Sequence, residues 1–167
     1  MPDVKYYAGV GSRRVPIVLL PRLRELAEEL ERRGWVLRSG GAKGCDAAFE
    51  SGVRADAHKQ IFYPTRGHIP ALAFDIAKTY HPAWARLSGY AKRCHARNSQ
   101  QVLGPALDEP SEFVLCWTPE AREVGGTSQA IRVARAMGVD VFNIADEKRL
   151  HEFLEIHLQG YSPRAIT

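Results

Sequence analysis

Short apolar stretches alternate along the chain with segments whose apolar residues recur every three or four positions. The apolar stretches cover residues 4–10, 35–38, 59–63, 112–117 and 139–144, and they predict five strands. The helical spacing predicts helices over residues 16–33, 44–53, 69–79, 83–103, 127–137 and 146–158. This alternation indicates an α/β protein with a Rossmann-like, doubly wound, mostly parallel sheet of about five or more strands and helices on both faces.

The alternation is not interrupted by a linker, a low-complexity segment or a clear internal repeat. We therefore expect one domain over residues 1–167, with residues 159–167 as a loosely packed tail. No stretch is long and apolar enough to span a membrane, and residues 1–5 lack the basic start and apolar run of a signal peptide. A cytoplasmic protein without a membrane partner is expected.

The cysteines, the histidines and the net charge limit the kinds of ligand site that we expect in this chain. The three cysteines, Cys45, Cys94 and Cys116, are odd in number and far apart, which argues against a disulfide framework and a zinc knuckle. The six histidines do not cluster at metal-ligand spacing, so we expect no metal and no required cofactor. The formal net charge of +4 favours partners that carry phosphate, whether nucleotides or nucleic acids.

Glycine turns lie where predicted strands end and helices begin, at residues 9–13, 39–44 and 125–128. Glycine lets the backbone approach a ligand closely, and the free N–H groups of a helix start attract anions. A single turn of this kind is equally well explained as a tight connection that binds nothing. Because the carboxyl ends of parallel strands meet at one edge of a sheet, the coincidence of several turns favours a ligand site there.

The helix predicted over residues 44–53 begins with Asp46, and Glu50 follows one turn later on the same face. An Asp in the first turn of a helix most often caps that helix. The alternative roles are a polar contact to a sugar hydroxyl or a general base, for which Glu50 is the second candidate. The residues alone leave these roles open.

The helix predicted over residues 83–103 carries Asn98 on its apolar stripe, with Arg97 beside it. A buried amide is costly unless it is hydrogen-bonded, so we expect this pair to turn inward towards polar partners. Arg86 and Arg93 lie on the same basic edge and are interpreted as a solvated face.

Three blocks of sequence occur in the order SGGAKGCD (39–46), RNSQQVLG (97–104) and GGTSQAIRVARAMGVDVFN (125–143). The first resembles the SGxAxGxD motif of the DNA-processing protein A (DprA/Smf) family. The second resembles that family's RN-start helix, and the third its glycine–hydroxyl turn, helix and closing strand. The wider group is the SMF/DprA–LOG (SLOG) superfamily of Rossmann-like nucleotide-binding domains.

The LOG proteins of that superfamily cleave the N-glycosidic bond of nucleoside monophosphates and carry a catalytic Glu in a GGxGTxxE motif. Aligning Gly126 and Thr127 with its GT places Ala130 at the Glu position, with Gln129 beside it. By this resemblance Asp46 or Glu50 would have to supply the catalytic carboxylate. DprA proteins bind single-stranded DNA and usually carry flanking domains. By this resemblance, we expect this chain to have room for only the Rossmann-like domain.

The resemblance implies that Arg97 contacts a phosphate or orients the ribose and that the second glycine turn cradles the phosphate. The first turn would then form the sugar or base wall. The candidate ligand-binding residues are Gly11, Ser12, Arg13, Gly40, Gly41, Ala42, Lys43, Asp46, Arg97, Asn98, Thr118, Gly125, Gly126, Thr127 and Ser128. The candidate catalytic residues are Asp46 and Glu50.

Binding of a nucleotide or a nucleotide-derived small molecule is the function that these patterns favour. The first alternative is an enzyme that hydrolyses a nucleotide N-glycosidic bond. The second is a DprA-like single-stranded DNA-binding protein, whose basic and aromatic groove would draw on Tyr6, Tyr7, Tyr90, Arg86 and Arg93. Superfamily members often dimerise, so the resemblance also implies a homodimer.

Overall fold

A computed structural model describes residues 3–166 of the 167-residue chain. The strands are β1 (Lys5–Gly11), β2 (Trp35–Ser39), β3 (Lys59–Ile61), β4 (Phe113–Trp117) and β5 (Asp140–Asn143). The α-helices are α1 (Leu20–Arg32), α2 (Cys45–Gly52), α3 (Ala71–Tyr80), α4 (Gly89–Leu103), α5 (Thr127–Ala136) and α6 (Glu147–His157). The predicted Rossmann-like α/β fold is confirmed.

The strands form one five-stranded sheet in the order β3-β2-β1-β4-β5, and every neighbouring pair is parallel. In the centre, Tyr7 of β1 pairs with Leu37 of β2 on one side and with Phe113 of β4 on the other. The strand order runs outward from β1 to β3 and then restarts at β4, on the opposite side of β1. In sheets of this type a crevice opens at the carboxyl ends of the two strands that flank the reversal.

Alternate residues of β1 face two separate apolar layers. Tyr7 belongs to the layer formed with α1, α2 and α6, which includes Leu23, Leu26, Phe49 and Phe153. Ala8 and Val10 belong to the layer formed with α4 and α5, which includes Val102, Leu103, Ile131 and Val133. Helices therefore cover both faces of the sheet, as the sequence predicts.

Helix α4 is shorter than the helix predicted over residues 83–103. Ser88 caps its start by accepting the N–H of Ala91 at 3.2 Å, and Leu87 is extended, with φ −79° and ψ 142°. Residues Trp84–Arg86 form a separate 3-10 turn. The prediction of one continuous helix was wrong. The apolar residues keep helical spacing across the break before the Ser88 cap, so spacing alone does not reveal that break.

The segment predicted as a loose tail lies along α1 as far as the structure describes it. Arg22 donates to the carbonyl of Arg164 at 2.8 Å, and Arg33 donates to the carbonyl of Gln159 at 2.9 Å. Tyr161 packs against the core layer that contains α1. Residue 167, the end of this predicted tail, lies outside the described residues. Within residues 3–166, none of the helices has the length and apolar character needed to cross a lipid bilayer.

Candidate functional site

A cavity of about 570 Å³ lies at the carboxyl ends of β1 and β4. Four parts of the chain line it: the loop after β1, the start of α2, one side of α4, and the loop between β4 and α5. The cavity therefore occupies the crevice that the reversal of strand order creates.

The loop after β1 brings two positive charges to the cavity. A Cβ at position 11 would lie 2.6 Å from Sγ of Cys45 and 2.7 Å from the carbonyl of Trp117, so Gly11 permits the close approach of β1, β4 and α2. Beyond it, Arg13 and Arg14 are exposed and line the cavity. Within residues 3–166, neither arginine has a carboxylate partner at ion-pair distance.

Two backbone donors at the first glycine turn are used inside the protein. The N–H of Cys45, at the start of α2, donates to the carbonyl of Ser12 at 3.2 Å. The N–H of Gly40 donates to Oδ2 of Asp46, also at 3.2 Å. The N–H groups of Gly40 and Cys45 are thus occupied, and the turn and the start of α2 contribute Ala42 and Asp46 to the cavity wall.

Asp46 is a buried carboxyl group, 4% exposed, on the lining of the cavity. Burial raises the pKa of Asp46 to about 6. The charge of Arg97 and the N–H groups of Ala42, Gly40 and Gly11 act in the opposite direction and limit the rise in pKa. Asp46 is therefore both an acceptor that fixes the first glycine turn and a group that gains or loses a proton near pH 6.

Helix α4 connects the two glycine turns through consecutive residues. Arg97, 7% exposed, donates from Nη1 to the carbonyl of Gly40 and, at 3.2 Å, to the carbonyl of Phe62. Its Nε is buried and has no hydrogen-bond partner among residues 3–166. Asn98 donates from Nδ2 to the carbonyl of Gly126 at 3.2 Å, so the inward amide expected from the sequence has its partner in the second turn.

Three backbone donors of the second glycine turn have no partner among residues 3–166. The N–H groups of Ser128 and Gln129 donate to the carbonyls of Gly125 and Gly126, at 3.2 and 3.3 Å. By contrast, the N–H groups of Gly125, Gly126 and Thr127 make no hydrogen bond to any residue in the described range 3–166. These three residues line the cavity at the start of α5, where the helix dipole favours an anion.

Two predicted hydroxyl groups are used elsewhere. Ser128 donates from Oγ to the carbonyl of Gly125 at 2.6 Å and accepts from Arg132 at 3.1 Å. Thr118 is fully buried, and its Oγ1 accepts from Nδ2 of Asn143 at 2.6 Å, which joins the ends of β4 and β5. Neither residue lines the cavity, and both hydroxyl groups form hydrogen bonds within the protein instead.

The remaining candidates from the sequence divide into two groups. Gly11, Ser12, Arg13, Ala42, Asp46, Arg97, Asn98, Gly125, Gly126 and Thr127 come together around the cavity. Gly40, Gly41, Lys43 and Glu50 are not among its lining residues. Gly40 is buried beneath Arg97, and Gly41, with φ +66°, lies against the ring of Tyr63, where a Cβ would be 2.5 Å from Cε1.

Several lining residues were missed by reasoning from the sequence, chiefly Arg14, Cys94, His95 and Gln101, and Tyr90 was named there only for a DNA-binding groove. Tyr90, Cys94 and Gln101 recur at helical spacing along α4 with Arg97 and Asn98, so a full helical projection of α4 would have found them. Burial lowers the pKa of His95 to about 4, helped by the charges of His81, Arg132 and Arg97, so its imidazole is neutral near pH 7.

The charge of the lining is predominantly positive. Arg13, Arg14 and Arg97 are permanently charged guanidinium groups, and Asp46 is the carboxyl group among the lining residues. Because its pKa is raised to about 6, Asp46 loses its negative charge as the pH falls through that value, and the lining then becomes more positive. The cavity thus suits an anionic ligand.

Fold and cavity together define a Rossmann-like α/β protein with an anion-attracting crevice between β1 and β4. No family model matches the chain, and no curated protein matches its sequence. Among solved structures, it is similar to DNA processing protein A from Helicobacter pylori, in a structure that describes the single-stranded DNA binding mode of that protein. The match covers 95% of this chain and 82% of the other, with a TM-score of 0.61 and 18% sequence identity. This similarity establishes a DprA-like fold.

Proposed function

We propose that the chain binds a nucleotide or a nucleotide-derived small molecule in the cavity between β1 and β4. The observation that carries this proposal is the set of unpartnered N–H groups at Gly125, Gly126 and Thr127, on the wall of a cavity that also holds Arg13 and Arg14. Backbone donors at a helix start bind phosphate oxygens, and guanidinium groups add charge-assisted hydrogen bonds to them.

The sugar of the ligand would lie along the wall formed by Ser12, Ala42 and Asp46. The Asp46 carboxylate accepts from Gly40 and also interacts with the N–H groups of Ala42 and Gly11, so of its roughly four acceptor positions about one would remain for a ribose hydroxyl. Arg97 has a supporting role, because its Nη1 donates to Gly40 and Phe62 and its Nε is buried.

Calorimetric titration with AMP, GMP, CMP and UMP, and with the matching nucleosides, tests the proposal. We expect the monophosphates to saturate at one ligand per chain and the nucleosides to bind at least tenfold more weakly, because they lack the group that the turn binds. Equal affinity for adenosine and AMP, or no binding of any monophosphate, would refute it.

Single-stranded DNA binding is the second candidate function, and the fold shared with the Helicobacter pylori protein favours it. Two aromatic residues and a cation fit such a ligand: the exposed Tyr90 lies on the cavity lining, and the exposed Arg66 stacks at 4.1 Å on the half-buried Tyr63, which covers Gly41. Tyr7, a candidate from the sequence, is fully buried and stacks on Phe113, so it does not contribute to a DNA surface.

Salt dependence separates the two candidates. Affinity for an oligothymidine should fall with salt by a log–log slope of about −0.7 per phosphate contacted, so contacts to several phosphates give a steep decline. A mononucleotide that contacts the protein through one phosphate should show a shallow decline. An oligothymidine that binds no more tightly than a thymidine monophosphate would remove the DNA candidate.

The hydrolase alternative depends on Asp46 or Glu50. Asp46 accepts backbone N–H groups on the cavity wall, and Glu50 is not a lining residue. Ala130, at the position of the LOG-type Glu, is a lining residue without an ionisable group. The geometry therefore favours binding over catalysis, and release of free adenine from AMP, abolished in Asp46→Ala, is the result that would reverse this preference.

A further inference from the structure

Two large apolar side chains remain exposed on the cavity. Tyr90 and Val124 are each 55% exposed, and both line the cavity. Tyr90 lies in the first turn of α4, directly after the Ser88 cap, and Val124 immediately precedes the Gly125–Gly126 turn. Other exposed apolar residues, such as Leu72 on α3, do not line this cavity.

The position of Tyr90 along α4 sets its separation from the second glycine turn. Asn98, which holds Gly126, lies eight residues further along the same helix, about 12 Å along the axis at ~1.5 Å per residue. This separation leaves room for a sugar between a phosphate at the turn and a planar ring at Tyr90.

The two ends of the cavity thus differ in chemistry. The free N–H groups lie at the second glycine turn, with the aliphatic side chain of Val124 beside them, and the exposed phenol ring of Tyr90 lies about two turns of α4 away. A nucleotide has the same division, with a phosphate at one end and an aromatic heterocycle at the other.

We infer that Tyr90 forms a subsite for the base of the bound nucleotide, which stacks on the Tyr90 ring. This inference rests on the proposed function, since it assigns the base of the ligand whose phosphate the second glycine turn binds. Stacking recognises the π-face that every base has, so the subsite accepts purines and pyrimidines. Purines bind more tightly there because they cover more of the apolar surface.

The test compares AMP with ribose 5-phosphate, which lacks the base, on the wild type, Tyr90→Ala and Tyr90→Phe. Tyr90→Ala should weaken AMP binding by roughly 5- to 150-fold, the usual range for loss of one base–aromatic stack, and leave ribose 5-phosphate unchanged. Tyr90→Phe should keep most of the affinity, because the ring remains. Leu72→Ala is the matched control for an exposed apolar residue away from the cavity.

The possible results separate this inference from the proposed function. If ribose 5-phosphate binds the wild type and Tyr90→Ala binds AMP as tightly as the wild type does, the base subsite is overturned and phosphate binding stands. Wild-type affinities that are equal for AMP and ribose 5-phosphate overturn it in the same way. If neither compound binds, the proposed function fails and the base subsite fails with it.

Discussion

Arg97 and Asn98 are neighbours on α4, yet they hold different glycine turns: Arg97 donates to the carbonyl of Gly40 and Asn98 to the carbonyl of Gly126. Consecutive residues of a helix point about 100° apart, which lets one short stretch reach both sides of the cavity. The wall at Asp46 and the free N–H groups of the second turn are therefore positioned by one rigid element, and each of the two contacts can be removed separately.

Loss of the Asn98 contact should weaken ligand binding more than it weakens the fold. Asn98→Ala removes the donor to Gly126, so the turn that presents the free N–H groups loses its link to α4. We expect a several-fold loss of AMP affinity and a loss of about 1 kcal/mol in the free energy of unfolding. Ser99→Ala is the matched control, because it removes one side-chain hydrogen bond from the same helix, to the carbonyl of Ala73, away from the cavity. Equal AMP affinity in both variants would contradict the role of Asn98.

Replacement of Arg97 should mainly reduce stability. Arg97→Met removes the guanidinium that donates to the carbonyls of Gly40 and Phe62 and leaves the Asp46 carboxyl without its nearby positive charge. We expect the free energy of unfolding to fall by roughly 2–4 kcal/mol in urea titrations near pH 7. The double variant with Asp46→Asn should lose less than the sum of the two single changes, because the two groups interact. Strict additivity would show that they do not.

Asp46 should make the stability of the protein pH-dependent near pH 5. Burial raises the pKa of Asp46 to about 6 in the folded state, from an ordinary value of 3.8, so the folded state binds the proton more tightly than the unfolded chain. This stabilisation is fully present below pH 4 and is lost as the pH rises through about 6. Relative to Asp46→Asn, the wild type should lose up to roughly 3 kcal/mol between pH 4 and pH 7. Urea titrations at several pH values that show a constant difference between the two proteins would contradict this prediction.

The two exposed arginines at the cavity should contribute to affinity and not to folding. Arg13→Ala and Arg14→Ala should each weaken AMP binding several-fold and reduce its salt dependence, because each removes an unpaired positive charge from the lining. The melting temperature should stay close to that of the wild type. Arg54→Ala serves as the control, since Arg54 is an exposed arginine in the loop between α2 and β3, which lies at the opposite edge of the sheet. A loss of affinity as large in Arg54→Ala would show that overall charge is responsible.

Periodicity and glycine placement predict the fold well because each is a local property of the chain. The five strands, their parallel arrangement and the edge where the glycine turns meet follow from alternation alone. The inward position of Arg97 and Asn98 also follows, since a polar residue on an apolar stripe must find partners.

The partners of polar groups are not predictable in this way, because they depend on which elements pack together. Ser128 and Thr118 resemble ligand-binding hydroxyls in the sequence, yet the structure pairs them with the carbonyl of Gly125 and with Asn143. Tyr90 lies on the helical stripe of α4 that carries Arg97 and Asn98, but which loops face that stripe depends on how the helix packs.

Gly126 allows the most direct test of phosphate binding at the second glycine turn. It has helical dihedral angles, φ −62° and ψ −33°, and a Cβ added there meets no described atom within 4 Å, so Gly126→Ala should fold at least as stably as the wild type. The added methyl group would instead stand on the cavity wall, where the proposed phosphate would approach the N–H groups. Gly89→Ala is the matched control, at the start of α4, with equally open space and no place on the lining.

Calorimetric titration of AMP and of ribose 5-phosphate into the wild type, Gly126→Ala and Gly89→Ala is the decisive measurement. We predict that Gly126→Ala loses at least tenfold in affinity for both ligands while its melting temperature is unchanged or higher, and that Gly89→Ala binds both as the wild type does. Wild-type affinity in Gly126→Ala would show that the second glycine turn does not bind the phosphate.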